Sequence, residues 1–169
     1  NGEGQTPPQA GVLEAFSAQP ARVAVAQPAY RADARAARTL AIEGESLIDR
    51  SSVESKKGAQ RLGQALHLQG RVRLPAEFVP ATDFATGRPD SFGHWRDVRA
   101  ASFTDRAELI VDCEKGVVMR VTVTAPGAFR LWHGSSPDVP PRRRESLYLE
   151  LAEPAARAAF TTTFVPVNE

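Results

Sequence analysis

The strongest constraint in this chain is its period. Apolar residues recur at every second position in short segments, and Gly or Pro separates the segments. Successive side chains of an extended strand point to opposite faces, so this pattern describes half-buried β-strands. Residues 22–26 (RVAVA) alternate, and 40–42 and 46–53 (SLIDRSSV) flank a tight connection at Glu43-Gly44-Glu45. Residues 64–74 (QALHLQGRVRL) read as one long alternating run, and 108–113 and 117–123 flank a second hairpin at Glu114-Lys115-Gly116. Further strands are predicted at 128–132, 146–151 and 157–165. Val117, Met119, Val121 and Val123 share one face of their segment; Leu147, Leu149 and Leu151 share the face opposite Tyr148 and Glu150. No amphipathic helix of three turns is found. Residues 32–38 (ADARAAR) favour a helix by propensity but lack an apolar stripe, so they read as a loop or a strand lead-in. The expectation is an all-β chain of about nine or ten strands, within the usual range for stacked sheets. That is an antiparallel β-sandwich or two stacked sheets (supersandwich-like), with few or no helices and one domain over residues 1–169. The longest irregular stretch runs from Pro75 to about Asp97, a length at which loops are commonly functional or mobile.

Composition narrows the chemistry. A chain of 169 residues is long enough for one sizeable core. The 21 basic and 20 acidic residues nearly cancel, giving a formal charge of +1 and no general drive toward nucleic acid or membrane. No apolar run approaches the ~20 residues of a spanning helix. Cys113 is the single cysteine, which excludes an internal disulfide and a multi-cysteine metal site. Its place in AELIVDC predicts a buried structural thiol. His67, His94 and His133 are far apart, and none has a second ligand at metal-binding spacing. There is no Gly-rich phosphate loop and no GxSxG elbow. No catalytic or metal residue, and no cofactor, is assigned.

Four residues stand out as candidates for substrate contact. His67 lies between Leu66 and Leu68, so it points away from the core, toward solvent or a cleft. His94, Trp95 and Arg96 stand together in FGHWR beside the long loop. An indole packs on the apolar face of a pyranose, and a guanidinium binds carboxylate or sulfate in bidentate fashion. The alternative is that Trp95 anchors the loop to the core while Arg96 pairs with Asp97 or Asp90. Trp132-His133 at a strand end is a weaker version of the same pattern. Arg142 to Arg144 read as a solvated charge run or, alternatively, a polyanion contact.

One succession of motifs resembles a known family. Arg38-Thr39-Leu40, then Ser46-Leu47-Ile48-Asp49-Arg50, then Gln64-Ala65-Leu66-His67-Leu68-Gln69-Gly70 is similar to the β-sheet region of the heparinase II/III-like polysaccharide lyases. The opening Asn1-Gly2-Glu3-Gly4-Gln5 resembles the turn that follows a His-Asn-Thr strand in that family, and residues 146–151 and 159–166 look like its last two strands. The resemblance implies the C-terminal β-sheet portion of an enzyme whose N-terminal half is an (α/α) toroid. It implies β-elimination on uronic-acid polysaccharides, a periplasmic or secreted location, and zinc in complete enzymes that carry an H-x-H … D stretch and the histidine of the His-Asn-Thr strand. None of those ligands, and no essential Tyr or His of the family, has a counterpart here. The chain alone is therefore expected to be inactive, to form a cleft wall, and to have an acidic polysaccharide and the toroid half as partners. Without the toroid it is expected to self-associate. The reading from another class is a free-standing carbohydrate-binding β-sandwich with Trp95, Arg96 and Trp132 as its platform.

Overall fold

Thirteen strands carry the described part of the chain, residues 10–167 of a computed structural model. The proposed opening turn at Asn1-Gly2 lies outside the described residues. The strands are β1 (Val12–Ala18), β2 (Ala21–Arg31), β3 (Ala34–Glu43), β4 (Ser46–Ser55), β5 (Gly63–Leu68), β6 (Arg71–Arg73), β7 (Val79–Pro80), β8 (Arg96–Phe103), β9 (Arg106–Asp112), β10 (Val118–Thr124), β11 (Phe129–Pro137), β12 (Arg143–Leu151) and β13 (Arg157–Val167). Helical structure among the described residues is limited to two 3-10 turns, Asp90–His94 and Glu114–Gly116. All strand pairs are antiparallel. They form an eight-stranded sheet in the order β1-β2-β3-β4-β13-β10-β9-β6 and a five-stranded sheet in the order β5-β12-β11-β8-β7. The all-β, two-sheet expectation holds.

The core between the sheets follows the alternation. Leu66, Leu68, Phe129, Leu131, Leu147 and Leu149 of the small sheet meet Leu109, Val111, Val121, Val123 and Phe160 of the large one. The inward residues align across register pairs such as Leu131 with Leu149, Leu147 with Leu66, and Val121 with Leu109. Each such side chain contributes roughly 1.5–3 kcal/mol by leaving water. Both tight connections form as read from the sequence. Gly44 takes φ +61, and Lys115 and Gly116 take φ 61 and 75, the left-handed geometry of tight hairpins.

Three expectations need correction. Residues 64–74 are not one strand: β5 and β6 belong to different sheets, and the chain crosses between them at Gln69-Gly70. Alternation cannot mark the crossing, because both strands point apolar side chains into the same core. Segments Val12–Ala18 and Arg96–Phe103 are strands that the pattern did not reveal. The first has almost no buried side chain, and the second has the bulky residues of its buried positions replaced by Ala100 and Ala101. Residues 34–38 are already strand, so β3 begins inside the lead-in.

The third layer decides where a site can sit. Residues 81–95, after β7, lie over the outer face of the small sheet, the face a two-layer sandwich leaves to water. Phe84 is buried there with Ala81, Ala100 and Trp132, and Phe92, Trp95, Val98 and Tyr148 pack against them. The pin at the centre is ionic. Arg88 donates to both carboxylate oxygens of Glu150, at 3.3 and 2.7 Å, and the side chains are only 6% and 8% exposed. The Arg88 guanidinium also lies 4.4 Å from the Trp132 ring.

Candidate functional site

The outer face of the small sheet, where the loop stops covering it, gathers the polar groups. His67 on β5 is in register with Ser146 on β12, and Ser146 with Gly134 on β11. Ser146 Oγ lies 2.7 Å from His67 Nδ1 and 2.7 Å from Ser136 Oγ, which itself is 3.5 Å from the same ring nitrogen. Ser146 and Ser136 are buried, whereas His67 is exposed on its far side. Arg144 donates to Asp138 at 2.5 Å beside this group. Burial holds the His67 pKa below its ordinary 6.5, the Arg144 charge pushes the same way, and the Asp138 charge opposes them.

That direction has a consequence for stability. The unfolded chain takes up a proton at His67 as pH falls through about 6.5, while the folded chain does not until lower pH. The folded state therefore loses stability as pH falls through this window and regains it as pH rises. Melting curves from pH 7 down to pH 5, inside the usual range of histidine titration, are expected to fall less steeply for His67→Gln than for the parent chain. Parallel curves would show that His67 titrates alike in both states.

Trp95 meets the same face from above. Its ring sits 4.9 Å from Phe84 and is stacked with Phe92 at 5.8 Å. A Cβ at Gly134 would stand 3.2 Å from Trp95 Cε3, so glycine there lets the indole rest on the sheet. The anchor role is thus the one its contacts describe. Asp97, at φ 53, lies at the bulge where β8 shifts register against β11 between His133 and Ser135; Asp tolerates the left-handed region better than most residues. The side chains of His94 and Arg96 are exposed at this rim. The carbonyl of His94 accepts from Arg143 at 2.7 Å, and Arg143 also holds the hydroxyl and carbonyl of Ser135. Arg143 and Arg144 are therefore engaged in the fold, not a free charge run. The structure brings His67 and Trp95 to one face, on either side of the Ser146–Gly134 row, and leaves His94 and Arg96 at its edge.

Trp132 and His133 part company, because adjacent strand residues face opposite ways. Trp132 is under the loop. His133 faces inward at the end of the core, where its Nε2 lies 2.5 Å from Glu145 Oε2. The three histidines do not converge, and no three His, Cys, Asp or Glu side chains come together among the described residues. Cys113 is half-buried, a free thiol packed at the margin of the core, and burial raises its pKa.

A cleft of about 210 Å³ opens next to the polar face. Tyr30 and Arg31 at the end of β2 and Asp33 in the turn after it form one side, Ser55 at the end of β4 and Lys57 beyond it another, and Gln60, Arg61 and Gly63 a third. Phe92 and Tyr148 close it. Lys57 Nζ is 2.7 Å from Asp33 and Arg31 Nε 3.6 Å from the same carboxylate, and the hydrogen bond from Lys57 leads in holding the Asp33 pKa below its ordinary value. Arg61 reaches Glu150 at 3.7 Å, and Tyr148 donates to Glu150 at 3.1 Å. Burial and the nearby Glu150 charge drive the Tyr148 phenol far above its ordinary pKa, so it is a hydrogen-bonding group and not a base near neutral pH. Alternation does not reveal this cleft, because its residues come from strand ends, from turns and from the face of β12 opposite its leucines.

Among the described residues, no helix is long and apolar enough to cross a membrane. The chain matches no protein-family model and no curated protein sequence. Among solved structures it is similar to the Slr1438 protein of Synechocystis sp. PCC 6803, at 16% identity and a TM-score of 0.43. That similarity covers 94% of this chain and 66% of the other, so the chain spans just under two thirds of that protein's length.

Proposed function

We propose that this chain is the C-terminal β-sheet portion of a heparinase II/III-like polysaccharide lyase and supplies one wall of the cleft that holds a uronic-acid polysaccharide. The observation that carries this reading is the mixed face around β5. His67, a member of the motif succession, lies exposed beside Ser146 and Ser136, next to a cleft lined by Arg31, Lys57 and Arg61 and by aromatic rings. Carboxylates bind such cations, and sugar rings pack on such rings. The other motif residues support it by having packing reasons for their identities. Arg38 on β3 donates to both oxygens of Asp49 on β4, at 2.8 and 2.6 Å, and Asp49 is buried. On the edge strand β1, exposed Val12, Leu13 and Phe16 offer a toroid half an apolar surface, or a second copy where the toroid is missing. A periplasmic or secreted location goes with a polysaccharide substrate.

The roles of base, carboxylate neutraliser and leaving-group acid belong, in this reading, to the toroid half. The isolated chain is expected to retain alginate, heparin or chondroitin sulfate in affinity electrophoresis while producing no unsaturated uronate absorbance from them. His67→Ala is expected to weaken the retention. Clear turnover would sink the assignment of catalysis to the other half, and retention of none of the three would sink the reading as a whole. A free-standing binding module built on Trp95 and Arg96 ranks below it, because the Trp95 ring is already engaged by Phe84, Phe92 and the backbone at Gly134. Trp95→Ala discriminates: that module would lose all binding, whereas a wall centred on His67 would keep most of it.

A further inference from the structure

We infer that the cleft between Tyr30, Lys57, Arg61, Phe92 and Tyr148 is a subsite for a single uronate residue, distinct from the His67 face and continuous with it. The inference rests on the preceding reading that the ligand is an acidic polysaccharide. Size is the first argument. A volume of about 210 Å³ is several times the roughly 30 Å³ that one water occupies in the liquid, and it falls below the 300–1,000 Å³ usual for larger ligands. One sugar ring is the scale it suits.

Charge is the second. Arg31, Lys57 and Arg61 line the cleft; Asp33 pairs with the first two and Arg61 reaches Glu150, while the Lys57 and Arg61 side chains stay 63% and 45% exposed and so able to meet an anion. Asp33 remains ionised because Lys57 stabilises its charged form. A free phosphate or sulfate, with charge on every side, would meet that carboxylate wherever it turned. A uronate differs: it has one carboxylate to set against Lys57 and Arg61, and hydroxyls that donate to Asp33. Ser55 and Gln60 add neutral donors and acceptors at the wall. Tyr30, Phe92 and Tyr148 supply ring faces and edges for the apolar side of the sugar.

Continuity is the third. Ala65 lines the cleft, and His67 follows two residues later on the same face of β5, about 7 Å along a strand. The register repeats the relation on β12, where Ala65 faces Tyr148 and His67 faces Ser146. A polysaccharide that places one uronate in the cleft therefore passes its neighbour across His67. The floor is shaped for this: a Cβ on Gly63 would stand 2.5 Å from the Tyr148 hydroxyl, so only glycine lets that ring lie down over β5.

The test is calorimetric titration of the whole chain with an alginate tetrasaccharide, in which every sugar is a uronate, and with cellotetraose, in which none is. Wild type is expected to bind the first and not the second. Lys57→Glu and Arg61→Gln are each expected to weaken binding about tenfold or more, the scale of one lost charge-assisted hydrogen bond. Both side chains are substantially exposed, 63% and 45%, so the fold tolerates the changes; unaltered melting curves verify this. Binding that survives both substitutions but falls in His67→Ala overturns the cleft assignment and leaves the polysaccharide reading intact. Equal binding of cellotetraose overturns the uronate assignment. Failure of wild type to bind tetrasaccharides of alginate, heparin and chondroitin sulfate overturns the polysaccharide reading together with the subsite.

Discussion

Replacing Arg88 with Ala is expected to lower the unfolding free energy by about 3–5 kcal/mol, the usual cost of leaving one buried charge without its partner. The Glu150 side chain is 8% exposed and receives two hydrogen bonds from Arg88. Its other neighbours are poor substitutes. Arg61 stands 3.7 Å away and is 45% exposed, and Tyr148 offers one neutral donor. Arg88 also donates to the carbonyl of Phe84 and covers the Trp132 ring, so its loss unpins the loop as well as the charge. Urea unfolding should report the loss in stability, and near-UV circular dichroism should report the change around Trp132. Removing both charges, in Arg88→Met with Glu150→Leu, is expected to recover more than half of the loss, since apolar replacements of a buried pair are often near neutral. A single-mutant cost under about 1 kcal/mol, the scale of an exposed pair, would mean that aromatic packing alone holds the third layer.

Gly70→Ala is expected to cost about 2–4 kcal/mol, from crowding and backbone strain together. Gly70 has φ +155, and a Cβ there would stand 2.5 Å from the carbonyl oxygen of Asp112 and 2.9 Å from Val111. A backbone carbonyl cannot swing aside as a side chain would. The β6–β9 pairing of Arg71 with Asp112 must shift instead, and the bidentate Arg73–Asp112 pair with it. Gly127→Ala is the control, since nothing lies within 4 Å of its Cβ position. It is expected to change stability by less than about 0.5 kcal/mol. Equal effects at the two sites, read from urea midpoints, would show that the crossing between sheets accommodates a side chain.

These two sites also mark where the sequence stopped being readable. The residues 64–74 alternate without a break because β5 and β6 both feed the one core, and Gly70 is a single residue in that run. Nothing local distinguishes a strand that continues from one that changes sheets. Alternation places Glu150 and Tyr148 on the face of their strand opposite Leu147, Leu149 and Leu151, and that is the direction in which they point. It could not know that the loop returns to cover them. Arg88, inside Gly87-Arg88-Pro89, has the sequence signature of a turn, and only its distance from Glu150, 62 residues along the chain, makes it a pin.

The sequence by itself determined the fold class, the two hairpins and the inward residues. Each depends on interactions between near neighbours or on a period of two, and both are written in residue order. The tertiary structure decided which strands share a sheet, that a third layer exists, that Trp95 faces Phe84 and Gly134, and that Lys57, Arg61 and Tyr148 line one cleft. Those are meetings of residues far apart in the chain, selected by burial of apolar surface and by pairing of buried charge. His67 belongs to both accounts: alternation aimed it outward, and the register of β5 against β12 placed it beside Ser146.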